Sequence, residues 1–263
     1  MAVEYDDSFE ECIQRPWLAV SKMRQIDADQ PKRQGQLSPD APNEWALHDT
    51  FHYQRGHADV FRDAYRVSRH HPPKKGERLR VVDVGAGAAT VAVALGEALG
   101  RDKRRRIDYV AFDPNPSMRS LGEQVLEHLD AGFGSGMYIE SLEETDFHKG
   151  DRLLFSFSYV SHQQAVTLAD VDRWASLIKR GIQEVGRAVE LMYTTASNIH
   201  SIEPKLPMLG EKLDQAGLRR TVEPLSVHLK QRYPETGGRD GRVRWRWRNP
   251  QWQVQAERWT LRA

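Results

Sequence analysis

Apolar and polar positions change period along this chain, and the changes outline helices and strands in alternation. Apolar residues recur at helical spacing from Glu10 to Ile26, predicting an amphipathic helix with Pro16 at a break or a first turn. Asp27 to Asn43 is rich in Gln, Asp, Pro, Lys and Gly and reads as a loop. A second helix is predicted from Glu44 to Arg69, N-capped by Asn43, with Trp45, Phe51, Val60, Phe61 and Ala64 able to share a buried side. Val81, Val82 and Val84 form a β-branched run, Leu79 to Val84, suited to a buried parallel strand. Gly85 and Gly87 follow, and then an alanine-rich helix to about Gly100.

The alternation continues. Strands are predicted at Ile107 to Phe112, Met137 to Glu140, Arg152 to Tyr159 and Arg187 to Thr194. Helices are predicted between them, from Pro116 to about Leu129 and from Leu168 to Arg180. A last helix, Met208 to Ala216, stops at Gly217 and precedes two late strands, Arg219 to Tyr233 and Gln253 to Arg262. Strand, glycine turn, helix is the nucleotide-binding βα unit, so the class is α/β.

Composition narrows this picture in a few places. The 263 residues suffice for one sizeable α/β domain with additions, or for two small ones. No run approaches the roughly 20 apolar residues that a spanning helix needs, so no membrane partner is expected. The acidic start, Met1 to Asp7, lacks a basic-then-apolar leader, and the single cysteine, Cys12, suits a reducing compartment; a cytoplasmic location is expected. The net charge of +1 conceals two basic segments. Arg101 to Arg106 has five basic residues in six and reads as a solvated loop or a nucleic-acid patch. In Arg242 to Arg248, arginines alternate with Val243, Trp245 and Trp247, so a strand there has one cationic and one apolar face. That is either a half-buried strand or a surface for phosphates and stacked bases.

The glycine turn carries the candidate chemistry. Gly85-x-Gly87-x-x-Thr90 lacks the third glycine of the dinucleotide fingerprint, which disfavours a nicotinamide-dependent oxidoreductase. Asp83, two residues before the turn, is a carboxylate that burial penalises unless a cation or hydrogen-bond donor meets it. Asp113 ends the second strand, where a carboxylate accepts bonds from both ribose hydroxyls. Asp108 competes for that role but lies at the strand's beginning. His48 and His52 are four apart, yet no cysteine cluster or His-Glu-x-x-His pattern accompanies them or His57, so no metal is expected.

Asp83-x-Gly85-x-Gly87-x-Ala89 resembles the first motif of class I S-adenosylmethionine (SAM)-dependent methyltransferases, with Ala89 as a mild replacement for the last glycine. Asp113-Pro114-Asn-Pro-Ser-Met118 resembles the continuation of that family's second motif, and the likeness extends over Leu79 to Ala263. The resemblance implies a doubly wound, mostly parallel seven-stranded sheet with a late antiparallel strand pair, preceded by an N-terminal helical extension. The implied division is a cap over 1–75 and a SAM-binding domain over 76–263. It implies that Asp83, Gly85, Ala86 and Gly87 hold the methionine portion and Asp113 with Pro114 the ribose. Met118, Ser141 and Leu142 would line the adenine. Ser158 and Tyr159 fall in the family's fourth motif, Ser158 as a cofactor-binding residue and Tyr159 to orient the acceptor or cover SAM, and His162 is a candidate general base. The Phe157-Ser158-Tyr159-Val160 stretch departs from the Asn-Pro-Pro-Tyr type of nucleic-acid amino-methylating members. Tyr53 and His57, on the helix ahead of the first strand, are either acceptor-pocket residues or boundary residues packing that helix. The implied activity is methyl transfer to an O, N or C atom of a small molecule or RNA. The alternative is an RNA-binding protein that retains an inactive fold of this type, RNA being met by Arg101 to Arg106 and Arg242 to Arg248.

Overall fold

Val81, Val82 and Val84 lie at the centre of a sheet in the computed structural model of the chain, which describes residues 43–68, 72–99, 101–129, 133–147, 151–158, 166–186, 189–196, 205–223, 231–235, 244–248 and 252–261. The predicted helix from Glu10 to Ile26 lies outside them. Five strands run parallel: β1 (Leu79–Val84), β2 (Ile107–Phe112), β3 (Ser135–Tyr138), β4 (Arg152–Ser158) and β5 (Val189–Ala196). β9 (Trp252–Leu261) joins antiparallel between β5 and β6 (Leu218–Glu223), giving the order β3-β2-β1-β4-β5-β9-β6 among the described residues. The order reverses between β1 and β4, and in open α/β sheets ligands bind outside the strand carboxyl ends at such a reversal.

Period-two alternation sends successive residues to two helical layers. Val81, Tyr109, Ala111 and Leu154 share a core with α1 (Asn43–Asp49) and the π-turn Thr50–Gln54 that follows it, α2 (Arg55–Val67), α3 (Thr90–Ala98) and α5 (Pro116–Leu129). Val82, Val84, Phe155 and Phe157 share the other core with α6 (Leu168–Val185) and α7 (Lys205–Gln215). A complete capping box at Thr167 and Asp170 starts α6, which runs on past the predicted end at Arg180 to the left-handed Gly186.

Several expectations need correction. The helix predicted over Glu44 to Arg69 is interrupted by the π-turn; its wider i→i+5 winding shifts the helical phase, with Thr50 and Phe51 and then Gln54 and Arg55 buried. β3 begins two residues earlier than predicted, where Ser135 Oγ donates to Asp108 Oδ1 at 2.7 Å. The basic segment after the glycine-turn helix is a one-turn helix, α4 (Arg101–Arg104), rather than a plain loop. The late strand predicted over Arg219 to Tyr233 is two strands in different sheets. β6 ends at Glu223, and β7 (Gln231–Glu235) pairs antiparallel with β8 (Arg244–Arg248) in a separate ribbon that lies against α2 and the π-turn.

The N-terminal helices are fixed to α3 by charge. Arg62 bonds Asp59 at 2.8 Å and Glu97 at 2.9 Å, Arg55 pairs with Glu97, and Arg66 Nη2 donates to the Glu97 carbonyl at 2.6 Å. At the amino ends of the strands, Arg78 Nε donates to Asp108 Oδ2 at 2.7 Å, and Arg152 holds Glu190 at 2.6 and 2.8 Å. Asp108 is thus engaged at the edge opposite the strand tips.

A glycine inside α5 exposes one packing constraint. A Cβ on Gly122 would stand 1.9 Å from the Tyr138 hydroxyl and 2.3 Å from its ring. Helix propensity alone favours alanine there by about 1 kcal/mol. The clash reverses the sign: Gly122→Ala should destabilise the protein by roughly 1–3 kcal/mol in urea unfolding. A stabilised variant would contradict the observed path of Tyr138.

Candidate functional site

Beyond Val84 the chain must turn sharply from sheet to helix. Gly85 and Gly87 adopt φ of +71° and +56°, values glycine reaches without strain. Ala89 also adopts a positive φ, +58°, alone among the described non-glycine residues. That conformation costs a non-glycine residue about 1–3 kcal/mol, so Ala89 is a less mild replacement than expected. Tyr138 holds it in place: its hydroxyl accepts from the Ala89 amide at 2.8 Å and donates to the Gly87 carbonyl at 2.6 Å.

Every amide of the turn has a partner. Gly85 and Ala86 both donate to the Phe112 carbonyl, at 2.8 and 3.0 Å, which ties the turn to the tip of β2. Gly87 donates to Asp113 Oδ2 at 2.8 Å, and Asp113 Oδ1 accepts from Asn115 N at 2.9 Å. Burial pushes the Asp113 carboxyl up to about 6, against the lowering effect of these two bonds and of Arg119. Ala88 N and Thr90 Oγ1 both donate to one atom, Gln54 Oε1, at 2.8 and 2.7 Å.

Asp83 lies beneath the turn with no exposed surface. Its Oδ2 accepts from the Tyr109 hydroxyl at 2.6 Å, and its Oδ1 has no hydrogen bond. Ser156, its register partner on β4, offers a hydroxyl whose hydrogen bonding to the carboxyl lowers its pKa, although its Oγ stands outside close hydrogen-bond geometry in this conformation. Burial dominates and pushes Asp83 up to about 7. A buried acid with one idle oxygen at a strand tip is what a cationic ligand group would compensate.

Met118 reaches the same place. Its Sδ accepts from Thr50 Oγ1 at 3.5 Å and from Gln54 Nε2 at 3.4 Å. Gln54 Nε2 also donates to Asp49 Oδ2 at 3.2 Å; burial pushes Asp49 up to about 6, with Asp113 close enough to add to the rise. The structure therefore joins Asp83, Gly85, Ala86, Gly87, Asp113 and Met118 around one turn. Pro114 is exposed beside Asp113, and Ser158 is buried at the end of β4. Ser141 caps the short 3-10 turn Leu142–Glu144, and Leu142 packs in the core shared with α6, so neither belongs to the set bonded around the turn. Tyr53 and His57 are half-buried. Tyr159 and His162 lie outside the described residues.

Sequence reasoning passed over Gln54, Asp49, Tyr109 and Tyr138. Only Gln54 left a signal. It shares the helical face of Phe51, Ala58 and Phe61, where a polar residue among apolar ones must find buried partners.

Asp83 makes stability pH-dependent in a predictable sense. Its folded-state pKa of about 7 exceeds the reference 3.8, so the folded protein binds the proton more tightly and loses stability as pH rises between those values. Asp83→Asn removes the buried charge and keeps an acceptor for Tyr109. Urea unfolding should find this variant more stable than wild type at pH 8, by an amount on the order of a few kcal/mol, with the gap closing toward pH 4. A variant less stable at pH 8 would contradict the assigned environment.

No protein-family model matches this chain, and no curated protein matches it. Solved structures of similar fold include a SAM-dependent O-methyltransferase of Thermotoga maritima, 14% identical over 70% of this chain and 59% of that one, with a TM-score of 0.42. This chain thus spans about three-fifths of that relative's length. A tRNA (m1A58) methyltransferase of Aquifex aeolicus is 10% identical over 75% of this chain and 67% of that one, TM-score 0.42. A SAM-dependent methyltransferase of Aquifex aeolicus is 12% identical over 89% and 98%, TM-score 0.41. These three similar structures are methyltransferases, and all three likenesses are distant.

Proposed function

We propose that this chain is a SAM-dependent methyltransferase acting on an O, N or C atom of its acceptor. The observation that carries the reading is Asp83, a buried carboxylate with an idle oxygen beneath a glycine turn, beside Asp113 at the tip of the neighbouring strand. The two acids suit opposite ends of one nucleoside: an ammonium group for Asp83 and ribose hydroxyls for Asp113. Gly85, Ala86 and Gly87 would let the backbone approach the methionine portion, with Pro114 beside the ribose. Met118 offers an apolar, polarisable contact for the adenine, and Ser141 and Leu142 are further adenine candidates by family resemblance alone.

When bound, the cofactor would supply an activated methyl group for the acceptor's lone pair, the sulfur keeping the electrons of the former sulfur–methyl bond. The protein's part is positioning. Asp83 ionises to meet the incoming cation and gives its proton to solvent, while Tyr109 keeps donating to Oδ2. Ser158, at the end of β4, is a further cofactor-binding candidate in this reading. Tyr159 is proposed to orient the acceptor, and His162 to take the proton where the acceptor carries one.

RNA is a candidate acceptor through Arg101 to Arg106 and Arg242 to Arg248. A second reading, an RNA-binding protein with an inactive fold of this type, draws on the Arg244–Arg248 strand, whose ribbon lies against the π-turn. A cytoplasmic location is proposed from the cysteine content. Among the described residues no helix is long and apolar enough to cross a membrane.

Calorimetric titration tests the cofactor assignment. Wild type should bind SAM, and Asp113→Ala should lose that binding while melting cooperatively; undiminished affinity in the folded variant would contradict the assignment. Incubation with methyl-labelled SAM and separated RNA, protein and small-molecule fractions then distinguishes the two readings. An enzyme labels one fraction, whereas an RNA-binding protein retains RNA and labels none.

A further inference from the structure

The most unusual occupant of the crevice is the side chain of Gln54. Its Oε1 takes both donors at the amino terminus of α3, Ala88 N–H at 2.8 Å and Thr90 O–H at 2.7 Å. Its amide lies so flat on the turn that a Cβ on Gly87 would stand 2.6 Å from Nε2 and 2.7 Å from Oε1. The space that a glycine leaves for a ligand is therefore filled from within. An amide oxygen is neutral, whereas the positive end of a helix favours a charged oxygen, and charge-assisted hydrogen bonds are roughly twice as strong as neutral ones. A second, separate group at this turn also awaits a ligand: Asp83, fully buried, has no hydrogen bond to Oδ1.

We infer that Gln54 is an internal competitor for the cofactor's carboxylate, filling the glycine cradle until an oxygen of full negative charge displaces it. The inference rests on the proposed SAM reading and adds a specificity device to it. A nucleoside that lacks the amino-acid end has nothing with which to displace Gln54, so it gains nothing at the α3 terminus. Displacement requires only the side chain to move. α2 stays in place because Arg62 and Arg66 hold Glu97 independently of Gln54. The released amide keeps acceptors at hand, since Asp49 Oδ2 already bonds Nε2 at 3.2 Å.

Gln54→Met tests this, because methionine keeps the length and bulk of glutamine and removes the amide acceptor. SAM and methylthioadenosine, the same nucleoside without the amino-acid end, are titrated into wild type and variant by calorimetry. The variant should bind SAM about tenfold more tightly, with methylthioadenosine affinity unchanged. Gln54→Ala, which removes the same acceptor without adding bulk, should shift SAM affinity in the same direction. In the free variants the Ala88 amide should exchange its hydrogen faster than in wild type, and thermal melts report that each is folded. Weaker SAM binding in both variants would make Gln54 a ligand-holding residue and overturn the inference. Equal changes for both nucleosides would overturn it as well, since general packing would explain them. Wild type that binds SAM as tightly as both variants would remove the competitor alone. Folded wild type and variants that bind no SAM would instead remove the cofactor reading, and this inference with it.

Discussion

A carboxylate buried without a counter-charge is the constraint around which this structure is arranged. Asp83 sits in the most enclosed part of the sheet, between Ala111 on one neighbouring strand and Ser156 on the other. Folding removes it from water, and one tyrosine hydroxyl returns only part of what hydration supplied. In the proposed reading such a group is tolerated for the cation it would bind. Its place at the strand reversal, under a glycine turn, is where that reading gives the cost a use.

The turn itself is saturated by the protein's own backbone and side chains. Asp113 just beyond β2, Tyr138 from β3 and Gln54 from the N-terminal helices each take one of its amides. The N-terminal helices therefore contribute to the site as well as covering it. Their hold on α3 is ionic and buried: Asp59 has no exposed surface, and burial pushes its carboxyl up to about 7 against the pull of Arg55 and Arg62. Desolvation offsets much of what such a cluster gains, so its main contribution is a fixed docking geometry for the π-turn. That geometry delivers Gln54 to Ala88 and Thr90, and Thr50 to Met118.

How much was legible in the sequence follows from the range of each signal. The β-branched run, the glycines and the two acids are local patterns, and they located β1, the turn and the tip of β2 closely. Asp108, set aside for its position at the start of a strand, bonds Arg78 at the far edge. Glu190, a charge inside a predicted strand, is met by Arg152 from the neighbouring strand. Long-range contacts left no local trace. Tyr138 reaches the turn only because Gly122, in a different element, leaves room for its ring, and no spacing within either segment encodes that. The π-turn was also hidden, because a period of 3.6 fits each half of the helix and the slip between them appears only once both are packed. Nor can periodicity divide Arg219 to Tyr233 between two sheets; pairing partners decide that, and they come from β9 and β8.

The central claim is that Asp83 waits as a protonatable acid for a cation. Carbon-13 NMR of the aspartate carboxyls, followed against pH with and without saturating SAM and assigned through Asp83→Asn, observes it directly. The account predicts that Asp83 titrates near 7 in the free protein and falls toward the ordinary aspartate value, about 4, when SAM is bound. A carboxyl that already titrates near 4 in the free protein, or one that SAM leaves unmoved, would contradict it.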